Sequence, residues 1–270
     1  MPIARLNGAD VHYTDTGAPP GNPEAPAVVF GHGLLFSGWM FSHQVEALED
    51  DYRCVTIDWR SQGQSPAASD GHDMDTLTAD VLALLDHLGL EAVHYVGLSM
   101  GGYVGMRLAA RHPERVLSLS LLDTGSGPED ADKVSKYRLL ANVYRVIGPG
   151  PLRRQIEPLM FGPTIRADAA GQEVLNQWFG LLKGTSRAGM RRAVLGVVER
   201  TPVDQELGDI SARTLVAVGA DDVSQEPYKS EALAAAIADA KLEIVPDAGH
   251  SSTIEQPAVL TRLIREHISG

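Results

Sequence analysis

The sequence predicts an α/β fold in which a mostly parallel, twisted β-sheet is flanked by helices and carries a helical insertion. Three observations predict it. Short, continuously apolar runs of strand length recur along the chain, as expected of strands buried on both faces. Amphipathic helical patterns alternate with these runs in the first and last parts of the sequence, which is how strand–helix–strand units read. Between about 125 and 201 the alternation stops and only helical patterns remain.

In chain order, Asn7-Gly8 lies between two short alternating runs and predicts a tight hairpin turn. Residues 17–26, rich in Gly and Pro, predict a surface loop. The apolar runs at 27–30, 54–57, 94–96, 117–122, 214–218 and 243–245 predict strands of the sheet. Among the intervening helical patterns, 76–88 places Leu77, Val81, Leu84, Leu85 and Leu88 on one face. Helices are also predicted over 103–111, over the alanine-rich 230–238 and over 257–268. In the interrupted stretch, 133–146, 172–182 and 187–199 predict helices, punctuated by Gly148-Pro149, Gly150-Pro151 and Gly162-Pro163. The predicted organisation is a core of 1–124 and 202–270 and a helical lid of 125–201.

A chain of 270 residues can bury a large core without disulfide or metal staples. Its formal charge of -12, from 35 acidic against 23 basic residues, argues against a nucleic-acid partner, because phosphate binding runs on clustered Lys and Arg. The one cysteine, Cys54, excludes an intrachain disulfide; its apolar surroundings predict a buried, unreactive thiol. The start, Met1-Pro2-Ile3-Ala4-Arg5-Leu6, lacks the charged then apolar pattern of a signal peptide. No window approaches the roughly 20 apolar residues that cross a bilayer. A soluble, cytoplasmic protein with no membrane partner is expected.

Chemistry concentrates at strand ends. Gly97-Leu98-Ser99-Met100-Gly101-Gly102 follows a strand pattern and precedes a helix pattern. A serine on so sharp a turn is forced outward, and the residues two before and two after it must be small, as Gly97 and Gly101 are. An acyl-transfer site also needs two backbone N–H donors for the oxyanion. Met100, directly after the serine, would supply one. The other would come from the loop Gly31-His32-Gly33-Leu34, most naturally from Leu34. The same Gly31-x-Gly33 superficially fits a dinucleotide fingerprint with Asp58, but Phe36 stands at the third glycine position, and no Gly-Lys-Ser/Thr phosphate loop occurs.

Serine is a poor nucleophile without a base, and His250 stands in the glycine-bearing loop Asp247-Ala248-Gly249-His250 beyond the last predicted strand. The carboxylate that orients it must also sit at a strand end. Asp221 and Asp222 follow 214–218, and Asp123 follows 117–122, so all three are candidates. The order Ser99, Asp222, His250 is the order that a nucleophile-elbow architecture uses, and Asp222 is the favoured candidate.

These residues together resemble the α/β-hydrolase superfamily over nearly the whole chain, least in 125–201. Gly31-His32-Gly33 is similar to its oxyanion loop, and Gly249-His250 with Glu255-Gln256-Pro257 to its histidine loop and last helix. Asp58-Trp59-Arg60-Ser61-Gln62-Gly63-Gln64-Ser65 is similar to its D-x-R-G-x-G-x-S segment, with Ser61 in place of the usual glycine. In the family the acid usually stands three residues after the glycine, which selects Asp222 over Asp221. The segment 97–105 and Pro113-Glu114-Arg115-Val116 look most like enol-lactonases, small carboxylesterases and cofactor-free haloperoxidases.

The resemblance implies a serine hydrolase acting on a carboxylic ester or lactone through an acyl-enzyme, with no metal or organic cofactor. Leu35, Trp39, Met160, Phe161 and Trp178 are the candidates for an apolar pocket lining, which would suit a small, largely apolar substrate. Perhydrolysis or carbon–carbon cleavage by the same triad, and a ligand receptor of low turnover, are the alternative uses of the fold.

Overall fold

A computed structural model describes residues 2–270. Eight strands form one sheet in the order β1-β2-β4-β3-β5-β6-β7-β8: β1 (Ile3–Leu6), β2 (Ala9–Asp15), β3 (Ala27–Gly31), β4 (Arg53–Ile57), β5 (Val93–Leu98), β6 (Val116–Leu122), β7 (Arg213–Gly219) and β8 (Lys241–Val245). The hairpin β1–β2 is antiparallel and joins β4 antiparallel; from β4 to β8 every pairing is parallel. Asn7 (φ 44°) and Gly8 (φ 80°) make the hairpin turn, both in the left-handed region that a two-residue turn of this hand requires.

The central strands read as unbroken apolar runs because both faces of the sheet are covered. Val29, Val55, Tyr95 and Leu119 face one side, where α2 (Met74–Leu88) and α3 (Met100–Arg111) pack. Val28, Phe30, Cys54 and Val96 face the other, beneath α11 (Pro257–Ile268) and the helices of the insertion. Each such side chain contributes about 1.5–3 kcal/mol on full burial, so alternate residues of one strand stabilise two separate half-cores. Cys54 lies in the second half-core with 1% exposure. Burial, aided by the charge of Glu49, pushes its thiol up to about 12.

Between β6 and β7 the chain forms helices: α4 (Ala131–Ile147), α5 (Arg153–Met160), α6 (Pro163–Ala167), α7 (Ala169–Lys183) and α8 (Arg187–Val198). The sequence pattern shows α4, α7 and α8, the longest. It hides α5 and α6, because the Gly-Pro steps that read as breaks are helix starts: Pro163 occupies the first turn of α6. The short α1 (Ser42–Leu48) is likewise unmarked, burying only Gln44 and Leu48. α9 (Pro227–Ala236) begins at a proline, earlier than its alanine-rich stretch suggests. The remaining helix, α10 (Ser252–Glu255), precedes α11. Among the described residues no helix is long and apolar enough to cross a membrane.

Candidate active site

The strand-to-helix turn between β5 and α3 holds Ser99 at φ 51°, ψ -109°, a conformation that costs about 1–3 kcal/mol for a residue other than glycine. The surrounding backbone fixes it. Ser99 N–H donates to the Leu122 carbonyl (2.8 Å), and the Ser99 carbonyl accepts from Thr124 Oγ1 (2.9 Å) and Tyr103 N–H (3.0 Å). Only glycine fits on either side. A Cβ on Gly97 would stand 2.3 Å from the Gly101 carbonyl oxygen, and one on Gly101 would stand 1.9 Å from the Gly31 carbonyl oxygen. Gly31 itself lies in register with Gly97 across β3 and β5, so three glycines let the turn sink against the sheet.

Loops after β7 and β8 bring the other two groups to the serine. Asp222 Oδ2 accepts from His250 Nδ1 (2.8 Å), and His250 Nε2 lies 2.9 Å from Ser99 Oγ. With Nδ1 donating to the carboxylate, Nε2 is left as the acceptor for the serine hydroxyl. Asp222 is held in turn by the N–H groups of Ser224 (2.8 Å) and Gln225 (2.9 Å) on Oδ1. Burial alone would lower the His250 pKa, but the Asp222 charge and hydrogen bond outweigh it and hold the imidazole above its ordinary 6.5.

Of the three candidate carboxylates, only Asp222 is hydrogen-bonded to His250. Asp221 faces solvent. Asp123 is fully buried, but its Oδ2 accepts from the Ser252 hydroxyl (2.5 Å) and its Oδ1 from Gly219 N–H (2.9 Å). Burial first and the neighbouring Asp222 second push Asp123 up to about 7.

The loop after β3 is pinned from several sides. His32 Nδ1 donates to the Gly33 carbonyl (2.7 Å) while its Nε2 accepts from Trp59 N–H (3.0 Å); burial lowers the His32 pKa, in keeping with a neutral ring. Leu35, at φ 70°, donates its N–H to Gln62 Oε1 (2.9 Å) and accepts from Trp178 Nε1 (3.1 Å). Among the described residues the N–H groups of Leu34 and Met100 have no hydrogen-bond partner. Gln62 was not legible as a site residue, although it lies inside the Asp58 segment. Ser61, the departure from glycine, takes φ 66° and binds His72 Nε2 through its hydroxyl (2.9 Å).

Ser99 and His250 open into a cavity of about 120 Å³. Leu34 and Leu35 line it from the core, and Leu140, Ile156, Met160 and Val194 from the insertion. Leu35 and Met160 therefore stand where the sequence reading puts them, and three other candidates do not. Phe161 and Trp178 pack with Phe36 in an aromatic cluster (centroids 5.1–5.8 Å apart) instead of facing the cavity, because large flat rings gain more from mutual burial than from an open wall. Trp39 lines a separate cleft with His12, Glu46 and Glu49. Tyr103 and Glu129 line the Ser99 cavity without having been singled out. Tyr103 stands one helical turn after Ser99, so its spacing placed it on the same face.

A family model described as the α/β hydrolase fold matches residues 26–155. A Variovorax paradoxus protein that carries the name carbamate hydrolase RutD is 30% identical, over 92% of this chain and 94% of its own. The 3-oxoadipate enol-lactonase 2 of Acinetobacter baylyi is 28% identical over 90% of this chain and 89% of its own. Among solved structures, the enol-lactonase from Burkholderia xenovorans superposes with a TM-score of 0.91 at 28% identity, covering 100% of both chains. A thermophilic esterase from Thermogutta terrifontis gives 0.90 at 29% identity, covering 98% of this chain and 97% of that one.

Proposed function

The chain belongs to the α/β hydrolase fold family, and from that premise we propose that it is a serine hydrolase that cleaves an ester or lactone of a small, largely apolar substrate. One observation carries the proposal: the unbroken relay from Asp222 Oδ2 to His250 (2.8 Å) and from His250 Nε2 to Ser99 Oγ (2.9 Å). In this reading Ser99 Oγ attacks the carbonyl carbon while His250 Nε2 takes its proton. The unpartnered N–H groups of Leu34 and Met100 hold the oxyanion, preorganised by the elbow and by Gln62. His250 then gives its proton to the leaving alkoxide, and a water activated by the same imidazole releases the acyl group. In a lactone the leaving alcohol stays tethered to that acyl group.

The leucine, isoleucine, methionine and valine walls favour an apolar acyl chain. By name, the relatives act on a carbamate, an enol-lactone and an ester, each of which contains an acyl–heteroatom bond of the kind that this relay attacks. The test sets a series of short-chain p-nitrophenyl esters beside a panel of lactones, for wild type and Ser99→Ala. Loss of the nucleophile should lower kcat by about 10⁴ or more. The preferred panel decides between ester and lactone. Turnover undiminished in Ser99→Ala would remove Ser99 from the mechanism.

A further inference from the structure

The catalytic cavity is not apolar throughout. On its wall stands the phenol of Tyr103, 1% exposed, whose hydroxyl has no hydrogen-bond partner among the described residues. Buried hydroxyls are nearly always paired, so an unpaired one in a cavity wall is a hydrogen-bonding group that a ligand there could satisfy. The ring cannot turn away, because the Arg200 guanidinium carbon stacks 4.3 Å from its centroid. Arg200 is itself fixed by Glu129 Oε2 (3.0 Å), the Gly127 carbonyl (3.0 Å) and the Val197 carbonyl (2.9 Å).

Glu129 supplies the second half. Its side chain is 7% exposed and lines the same cavity. Arg200 does not line it, and neither does any lysine or other arginine among the described residues. A substrate thus meets the carboxylate of the pair and not the guanidinium. Burial, its largest cause, pushes the Tyr103 phenol up to about 12, so it remains a donor across the working range.

Resting on the serine-hydrolase reading, we infer that the substrate carries, away from its scissile carbonyl, a neutral group that both accepts and donates a hydrogen bond, a hydroxyl or an amide. Tyr103 Oη donates to this group, and Glu129 accepts from it. A carboxylate in the same place would meet Glu129 directly, while the Arg200 charge lies behind Glu129 and is already paired with it, so dicarboxylic half-esters are poor ligands. Tyr103 and Glu129 are specificity residues: neither touches the reacting carbonyl.

The test measures binding without turnover. Calorimetry on Ser99→Ala compares methyl esters of unsubstituted, ω-hydroxy and ω-carboxy acids at four, six and eight carbons. At the chain length that reaches Tyr103, the hydroxy ester should bind about tenfold tighter than the unsubstituted ester, and the half-ester weakest of the three. Tyr103→Phe, which keeps the ring and its stack on Arg200, should reduce the hydroxyl advantage to within about twofold. Glu129→Gln should selectively improve the half-ester. A hydroxyl advantage absent at every length, or surviving in Tyr103→Phe, or a half-ester that binds tightest, would overturn the inference. Failure of wild type to hydrolyse any ester strikes the serine mechanism instead, because this binding order does not depend on turnover.

Discussion

Two halves of the molecule face each other across the cavity that holds Ser99, and they are specified in opposite ways. The core half consists of strand ends and their loops, where Leu35, Ser61, Ser99, Asp123 and Asp247 all take positive φ. The half built from α4 to α8 consists of ordinary helices; Gly148 alone has positive φ there. In the core half the backbone is the constraint, and residues are chosen because nothing else fits. In the insertion the side-chain surface is the constraint, and many apolar residues would serve. The difference teaches where substitutions are tolerated and where the chemistry is rigid.

The largest expected effect lies in the core half. Asp222→Asn keeps the shape of the relay but turns an NH₂ or a neutral oxygen toward His250 Nδ1, and kcat should fall by about 10⁴ in ester turnover. Gly101→Ala should follow, since its Cβ meets the Gly31 carbonyl oxygen at 1.9 Å. Denaturant unfolding should show a loss upwards of about 4 kcal/mol, with activity lost alongside. A normal melting curve for Gly101→Ala would break the comparison at its root.

Trp178→Ala probes the hydrogen bond that ties the insertion to the Leu35 carbonyl, one of several that cross from insertion to core. Removing a buried tryptophan should cost about 3 kcal/mol. Because its indole N–H holds the Leu35 carbonyl, kcat should also fall by about tenfold as the Leu34 donor loosens. A stability loss with kcat unchanged would show that the insertion shapes the cavity without positioning the oxyanion donors.

The fourth prediction concerns pH. His250 must be neutral to act, and Asp222 holds it above 6.5, so kcat/KM should fall with acid through a midpoint above 6.5. The stability contribution runs the other way. Protonated His250 stabilises the fold fully below pH 6.5, and this contribution is lost as pH rises through the raised folded value. Asp222→Asn should move the acid limb of any residual activity downward. The smallest effect is expected at Gly180, an exposed position within α7 where an added Cβ meets nothing within 4 Å. Gly180→Ala should raise stability by about 0.5–1 kcal/mol with activity unchanged.

The same contrast explains what could be read from the sequence. Gly97, Ser99, Gly101 and the loops of Asp222 and His250 are legible because a strained turn and a relay admit few residue types. Choosing among Asp123, Asp221 and Asp222 needed the family pattern, since all three sit at strand ends between Ser99 and His250 and only tertiary packing turns Asp123 onto Ser252. The pocket was the least legible. Phe161 and Trp178 are large and apolar, which suits a wall or a core equally, and the structure uses them as core. Tyr103 could have been read from its spacing one turn after Ser99, whereas Glu129 carries no local signal of facing a cavity, because that depends on where α4 and α8 come to rest.

The buried Cys54 has a practical consequence. Buried at 1% exposure, with its thiol pushed up to about 12, Cys54 should be unreactive toward maleimides and iodoacetamides at neutral pH. A single cysteine placed at exposed Leu139 or Val146 on α4 would be the sole labelling site. A fluorophore or spin label there could follow any movement of the insertion during turnover, against a background with no other reactive sulfur.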